Sequence, residues 1–310
     1  MKMLKNSIIV LLSFMMVISG LPAFARTEDY TTIDTGTKAV DYLMMLRIAE
    51  DRAAFIGEEP LSKGEATALI VKALGETDVA RSMAVPEGLV GRSHADVAAF
   101  AINCGILAGE DLPENWDEAI TAVQAAKMLV AALGYGTLAI YQGGYPTGYL
   151  SYAQQLRILR DIDLSQDTPI TRIDFAKMLY NAFDAEMLNV TGIEEGLVYE
   201  SRKGETLERQ YLNKMGWIIG EGIVEGTEVS QMAGMQTLQK DKVQVGGVRL
   251  SGADATLKEY LGRRIQYVSV DPEVSGNKQT ILGWRILDKN VIQYLTRENE
   301  AWCSNHVITY

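Results

Sequence analysis

The chain has 310 residues, a formal net charge of −11, two cysteines and two histidines. The acidic balance argues against nucleic acid and anionic membrane surfaces as partners. So few cysteines and histidines argue against a disulfide-stapled scaffold and against a Cys/His metal site. The length is sufficient for two domains of ordinary size.

Residues 1–25 predict a secretory signal peptide. A start with two lysines precedes the apolar run Ile8–Val17, and Ala23-Phe24-Ala25 is typical of a cleavage site. A membrane span needs about 20 apolar residues, so this run is too short to be one. We therefore expect a secreted protein whose mature chain begins near residue 26, without membrane insertion after cleavage.

Three segments share one helix pattern, at 61–75, 119–133 and 169–183. In each, a Ser or Thr stands three residues before Glu, Gln or Asp: the pairs are Ser62 and Glu65, Thr121 and Gln124, Thr171 and Asp174. This spacing is typical of a capping box, in which side chains satisfy the amides at a helix start. Apolar residues at spacings of three and four predict one buried stripe per helix, and Gly75 and Gly134 predict the ends of two helices.

An amphipathic segment precedes each capped helix, at 39–49, 96–107 and 149–159. Each unit is therefore predicted to be a helix, a loop of about ten residues and a capped helix. One such pair cannot bury both of its apolar stripes, so we expect three units to pack around a shared axis and close. The predicted units are 26–80, 81–138 and 139–189.

The composition changes after residue 190, where glycine and β-branched residues become frequent. Short strands are predicted at 216–226, 242–250, 263–271, 279–288 and 291–296, with one short helix at 253–262. We expect a small, mostly antiparallel β domain over 190–310, which can be incomplete because the last predicted strand lies near the end of the chain. The predicted fold class is α+β multidomain, a three-repeat helical bundle followed by this β domain.

The repeat resembles the S-layer homology repeat, three copies of which form the cell-wall anchor of many exported Gram-positive proteins. Thr171-Arg172-Ile173-Asp174, followed by Phe175-Ala176-Lys177-Met178-Leu179, is similar to the signature helix of that family at almost every place. Ser62-Lys63-Gly64-Glu65 is a weaker copy, and Thr121-Ala122-Val123-Gln124 lacks the basic residue.

The resemblance implies a non-enzymatic cell-surface protein that is held non-covalently at the cell wall or S-layer. The implied partner is secondary cell-wall polysaccharide, often pyruvylated in the family and bound in grooves between repeats. It implies no cofactor, no metal and no catalytic residue. We also expect self-assembly or contact with other surface proteins, since exposed strand edges pair readily.

The candidate polysaccharide-binding residues are Arg172 with Thr171, and Lys63 with Ser62. An arginine fork matches a carboxylate bidentately, and a helix start offers free amides and a positive dipole end. Ala122 cannot serve in this way. The alternative for Arg172 is a solvated side chain or a salt bridge to Asp174.

A group of tyrosines before the third repeat has two interpretations. Tyr141, Tyr145, Tyr149 and Tyr152, with Gly143 and Gly144, can line a sugar-binding groove, or they form a linker and the core face of the next helix.

Two other classes of function stay open. One repeat lacks the basic residue, and all three lack the family's usual loop motif. Both departures are compatible with a degenerate scaffold that assembles without binding glycan. A secreted enzyme acting on wall polymers would need carboxylates such as Glu194, Glu195 or Glu221, or one of the two histidines, His94 and His306. The cysteines, Cys104 and Cys303, are expected to be unpaired thiols, one of them buried, and Cys104 lies in an apolar helical stretch.

Overall fold

The structure is a computed structural model. It describes residues 35–57, 59–108, 115–163, 168–193, 197–232, 238–252, 256–276, 279–287, 302–304 and 307–309. The predicted signal peptide at 1–25, the predicted strand at 291–296, and Glu194, Glu195 and His306 lie outside these residues.

Helices dominate the chain up to residue 183. They are α1 (Thr35–Met45), α2 (Arg52–Ile56), α3 (Lys63–Ala73), α4 (Thr77–Arg81), α5 (Ala98–Asn103), α6 (Ala122–Ala132), α7 (Gly136–Tyr141), α8 (Thr147–Gln155) and α9 (Arg172–Phe183), with a 3₁₀ turn at Ala95–Val97 before α5. The three capped helices α3, α6 and α9 begin where the capping residues predict. Gly75 and Gly134 end α3 and α6 in the left-handed conformation, with φ of 71° and 90°.

The first helix of each unit stops about four residues before its predicted end. The residue that follows the helix cap is left-handed in all three units: Arg47, Gly105 and Arg157 have φ of 58°, 69° and 59°. A left-handed residue cannot continue a right-handed helix, so the chain turns there and the next residue, as at Ile158, becomes a buried anchor. Cys104 lies at this turn and is a free, exposed thiol rather than a buried one.

Strands begin at residue 186. They are β1 (Glu186–Ile193), β2 (Leu197–Thr206), β3 (Trp217–Gly226), β4 (Lys242–Val245), β5 (Val248–Ser251), β6 (Arg264–Val270), β7 (Ile281–Ile286), β8 (Trp302–Ser304) and β9 (Val307–Thr309). Two helices, α10 (Leu207–Met215) and α11 (Pro272–Ser275), and a 3₁₀ turn at Leu257–Tyr260 lie between them. The fold class is therefore α+β, as predicted. Within the described part of the helix predicted at 253–262, the structure has this 3₁₀ turn.

The strands form antiparallel sheets. Five of them follow the order β5-β4-β3-β6-β7, and each neighbouring pair is antiparallel. β1 pairs with β2, and β8 pairs with β9. The β1–β2 hairpin and α10 were not predicted, and the boundary predicted at residue 190 falls inside β1.

Residues 32–290 form one compact unit, in which helices and sheet share a core. Val268 of β6 is fully buried in the cluster that also holds the apolar faces of α1, α3, α6 and α9. The hydroxyl of Tyr211 in α10 donates to the carbonyl of Leu46 at 2.6 Å. The guanidinium of Arg285 in β7 lies 4.6 Å from the centre of the Tyr42 ring. A second, smaller core lies within the sheet, around Val224, Val243, Val245, Leu250, Leu257, Ile265, Tyr267 and Ile281.

Candidate functional site

The three capped helix starts meet in a ring. Leu61 donates its backbone N–H to the carbonyl of Ile170 at 3.0 Å, Ile120 donates to Leu61 at 3.0 Å, and Ile170 donates to Ile120 at 2.7 Å. Each repeat supplies one residue, and the three aliphatic side chains are buried on the axis. The repeats therefore close on one another, as the sequence predicts, and each junction between repeats places a helix start beside the neighbouring unit.

The capping residues hold these helix starts. The Ser62 hydroxyl accepts from the amide of Glu65 at 3.2 Å, and the Thr171 hydroxyl accepts from the amide of Asp174 at 3.2 Å. The middle repeat has the complete capping box, because the Gln124 side chain also accepts from the Thr121 amide at 2.9 Å. Ser62 and Thr171 thus have a structural role, and their predicted contact with polysaccharide stays a prediction.

Arg172 lies at the junction between the third and first repeats. Its Nε and Nη2 donate to the two carboxylate oxygens of Glu65 at 2.7 and 3.0 Å, and its Nη1 donates to Glu59 at 2.6 Å. The alternative partner proposed from the sequence, Asp174, instead accepts from Lys177 at 2.9 Å. The arginine fork therefore binds carboxylates of the protein itself, and its predicted contact with a polysaccharide carboxylate stays a prediction.

The two carboxylates around Arg172 differ in exposure. The Glu65 side chain is 22% exposed and binds in the bidentate geometry, whereas the Glu59 side chain is 79% exposed and makes a single bond. Hydrogen bonding to Glu65, and then to Glu59, raises the pKa of the Arg172 guanidinium above its usual value. Since exposed ion pairs contribute little stability, Glu59 is the partner that a dissolved carboxylate could replace.

Lys63 lies at the junction between the first and second repeats. It is 7% exposed, and its backbone N–H donates to the carbonyl of Glu118 at 2.9 Å. Within the described ranges, its ammonium has no ion-pair partner. An unpaired cation beside the positive end of α3 is unfavourable on its own and favours an anion nearby.

Amides that the sequence led us to expect free are occupied by backbone carbonyls. Gly64 donates to Trp116 at 2.9 Å, Lys63 donates to Glu118, and Arg172 donates to the Glu59 carbonyl at 3.3 Å. At these positions the repeats use the helix starts to bind each other. Any anion would therefore be recognised through side chains there. Ala122, at the matching position of the middle repeat, has no polar group.

The tyrosines before the third repeat divide into two pairs. Tyr149 is buried, and the Tyr152 ring packs 5.4 Å from that of Tyr135, so these two belong to the core face of α8. Tyr141 and Tyr145 are exposed, at 84% and 52%. The Lys127 ammonium lies 5.8 Å from the centre of the Tyr145 ring.

Of the residues named for an enzyme, the structure describes Glu221 and His94. Glu221 pairs with Arg264 on the adjacent strand β6. His94 precedes a 3₁₀ turn in the left-handed conformation, with φ of 60°. Among the described residues, no cluster of three or more His, Cys, Asp and Glu side chains could hold a metal ion. None of the described helices combines the length and apolarity that a membrane span requires.

Sequence reasoning missed Glu59, Glu65 and Trp116 as parts of these junctions. Trp116 is buried over Gly64 and donates from Nε1 to the carbonyl of Ser93 at 2.7 Å. The available signal was an Arg at the first position of one capped helix and a Glu at the third position of another. This pair of charges predicts an ion pair only once the third repeat is known to pack against the first.

Comparison of the chain with protein-family models gives no match, and comparison with curated proteins gives none. The resemblance to the S-layer homology repeat therefore stays a prediction.

Proposed function

We propose that this protein is an exported surface protein that attaches non-covalently to the cell wall by binding secondary cell-wall polysaccharide at the junctions between its three helical repeats. The observation that supports this most is the closed ring of helix starts, because it brings one cationic residue to each of two junctions. Acidic wall polymers carry carboxylates or phosphates, which such cations recognise.

In this proposal Arg172 is the principal binding residue and Glu59 is its internal competitor. The exposed Glu59 carboxylate occupies Nη1 at 2.6 Å when no ligand is bound, while the more buried Glu65 fixes the plane of the guanidinium. A ligand carboxylate can take the place of the Glu59 carboxylate on Nη1, so one carboxylate replaces another at the same guanidinium. Lys63 supplies a second, weaker anion-binding position at the neighbouring junction.

The test is co-sedimentation of the mature chain with protein-free cell-wall sacculi. The whole mature chain is needed because the helices share their core with the sheet. We expect Arg172→Ala to weaken binding by about tenfold or more and Lys63→Ala by less, since charge-assisted hydrogen bonds contribute roughly 1.5–3 kcal/mol. Glu59→Gln should strengthen binding, because it removes the competing carboxylate and leaves the fold intact.

A scaffold that assembles without glycan is the second candidate. It is favoured by the same ion pairs, because Arg172 already joins the third repeat to the first. If the folded protein and Glu59→Gln both stay in the supernatant, with walls that retain a known anchor, wall binding is excluded and the scaffold function is preferred.

A further inference from the structure

The turn that ends α8 needs a left-handed residue, and that position is occupied by an arginine instead of the glycine that would fit it without strain. Arg157 is left-handed, with φ of 59°. The matching residue in the second repeat is Gly105, which adopts this conformation without strain. Since a non-glycine residue in this conformation costs roughly 1 kcal/mol or more, an arginine here needs a compensating role.

The first repeat shows what such a role can be. Arg47 occupies the same place after α1, and its Nε donates to the carbonyl of Leu282 in β7 at 3.0 Å, which ties the helices to the sheet. The guanidinium of Arg157 has no comparable partner in the part of the chain that the structure describes. Among the described residues, the Arg157 side chain therefore makes no link to the sheet of the kind that Arg47 makes.

A second arginine stands three residues further on, at a position where the first repeat has an ion pair. In the first repeat, Glu50 and Lys72 are joined at 2.6 Å. At the matching positions of the third repeat are Arg160 and Asn181, joined from Nη2 to Oδ1 at 3.0 Å. A neutral amide has replaced the opposite charge, so Arg160 is oriented without being neutralised.

Asn181 makes this turn rigid. It is buried in α9, and its amide group donates to the carbonyls of Ile158 and Arg160 at 3.1 and 2.9 Å. The segment between the two arginines is thereby fixed to the next helix. The two guanidinium groups are carried by a preorganised turn, which lowers the entropic cost of binding a ligand between them.

Both arginines line two adjoining cavities. One, of about 370 Å³, is lined by Gln154, Arg157, Leu159, Arg160 and Ile162, and none of these described residues carries a carboxylate. The other, of about 350 Å³, also contains Asp184 and Glu186, and the Glu186 carboxylate accepts from the Gly204 amide at 3.2 Å. The first cavity therefore favours an anion more than the second does.

We infer that Arg157 and Arg160 form an oxyanion-binding site on the cavity lined by Gln154, Leu159 and Ile162. Its ligand is a phosphate or a carboxylate group of an anionic polymer, which two arginine forks bind in the same way. Asn181 is nine residues along α9 from Arg172, about 14 Å, so this site is separate from the helix-start ring. Its test does not depend on wall binding.

The test is an NMR titration of the full-length protein, following the Nε–H signals of ¹⁵N-labelled arginine. Inorganic phosphate is added in one arm and glucuronate in another, with sodium chloride at matched ionic strength as the control. We expect saturable shifts of the Arg157 and Arg160 signals. Response to phosphate alone assigns a phosphate-bearing ligand, and response to glucuronate alone assigns an acidic sugar; either supports the site.

Three variants make the result specific. Arg157→Gly installs the residue of the second repeat, so it should fold at least as stably as the wild type and bind about tenfold or more weakly. Arg160→Gln should weaken binding while keeping an amide beside Asn181. Arg47→Gly, the same change at the same turn of the first repeat, should leave binding unchanged. If neither anion moves the two signals beyond chloride, or if Arg157→Gly binds like the wild type, the site does not exist.

Discussion

At Gly64, helix α3 of the first repeat packs directly against Trp116 of the second repeat. A Cβ atom there would lie 2.6 Å from Nε1 of the buried Trp116, whose carbonyl also accepts the Gly64 amide. The same Nε1 donates to the Ser93 carbonyl, so the ring cannot move away without losing that bond. We expect Gly64→Ala to lower the free energy of unfolding by about 1–3 kcal/mol, as overpacking does.

The measurement is urea unfolding of both Gly64→Ala and a matched control. Gly57→Ala is that control, because φ at Gly57 is −68° and a Cβ there would meet only the Glu59 amide at 3.9 Å. We expect it to stay within about 0.5 kcal/mol of the wild type. Equal stability of the two variants would show that the close packing of Trp116 on Gly64 is wrong.

For the individual residues of the site, contacts within one helix were predictable from the sequence, and contacts between repeats were not. Ser62, Thr121 and Thr171 were identified because a capping residue and its partner lie three positions apart. The partners of Arg172 were not identified, because Glu65 is 107 positions away in the chain. Which carboxylate an arginine meets depends on how the repeats close, and charge spacing along one helix carries no information about that.

Some helices were predicted from the sequence and others were missed. α3, α6 and α9 have caps and apolar stripes, so periodicity identifies them. α10 has a cap as well, since Thr206 accepts from the Arg209 amide at 3.3 Å, and a left-handed glycine ends it at Gly216. Its apolar residues Leu207, Tyr211, Leu212 and Met215 do recur at helical spacing. It was missed because it lies between two strands and has no counterpart in the repeats, from which the other helices were identified.

The packing of α10 against α1 and β7 makes stability depend on pH. Glu208 accepts a hydrogen bond from the Tyr42 hydroxyl. Burial raises the pKa of its carboxyl, and the nearby Arg285 lowers it by less. The raised pKa means that folding shifts the Glu208 carboxyl toward its protonated form, relative to the unfolded chain. Its stabilisation is complete below the pKa of the unfolded chain, about 4.3, and is lost as pH rises through the folded value.

We therefore expect Glu208→Gln to become more stable relative to the wild type as pH increases from 4 to 8. Glu50→Gln is a control of opposite sign, because its hydrogen bond to Lys72 lowers the pKa of the Glu50 carboxyl. Its contribution to stability is present at neutral pH and lost on acidification, and exposure keeps it small. Urea midpoints measured from about pH 2 to 8 decide both signs, since the Glu50 contribution is lost only below the unfolded pKa of about 4.3. A flat difference for Glu208→Gln would contradict the buried carboxyl.

For the whole molecule, the shared core of helices and sheet has a consequence for cooperativity. Val268 of β6 is fully buried in the core of the helical repeats, and Leu207 and Tyr211 of α10 join it there. A Cβ on Gly283 of β7 would collide with the carbonyl of Met45 at the end of α1, so the two layers meet at backbone distance. Unfolding of the sheet should therefore expose the apolar faces of the helices.

Val268→Ala tests this coupling by hydrogen exchange. Removing two buried methyl groups should cost about 2 kcal/mol, which accelerates the slowest amides about 30-fold. If the unit is cooperative, amides of α1 and α9 accelerate together with those of β6. Val274→Ala, the same substitution at an exposed position of α11, should change none of them. Acceleration confined to β6 would mean that the sheet opens alone, and that the helical repeats hold their ring without it.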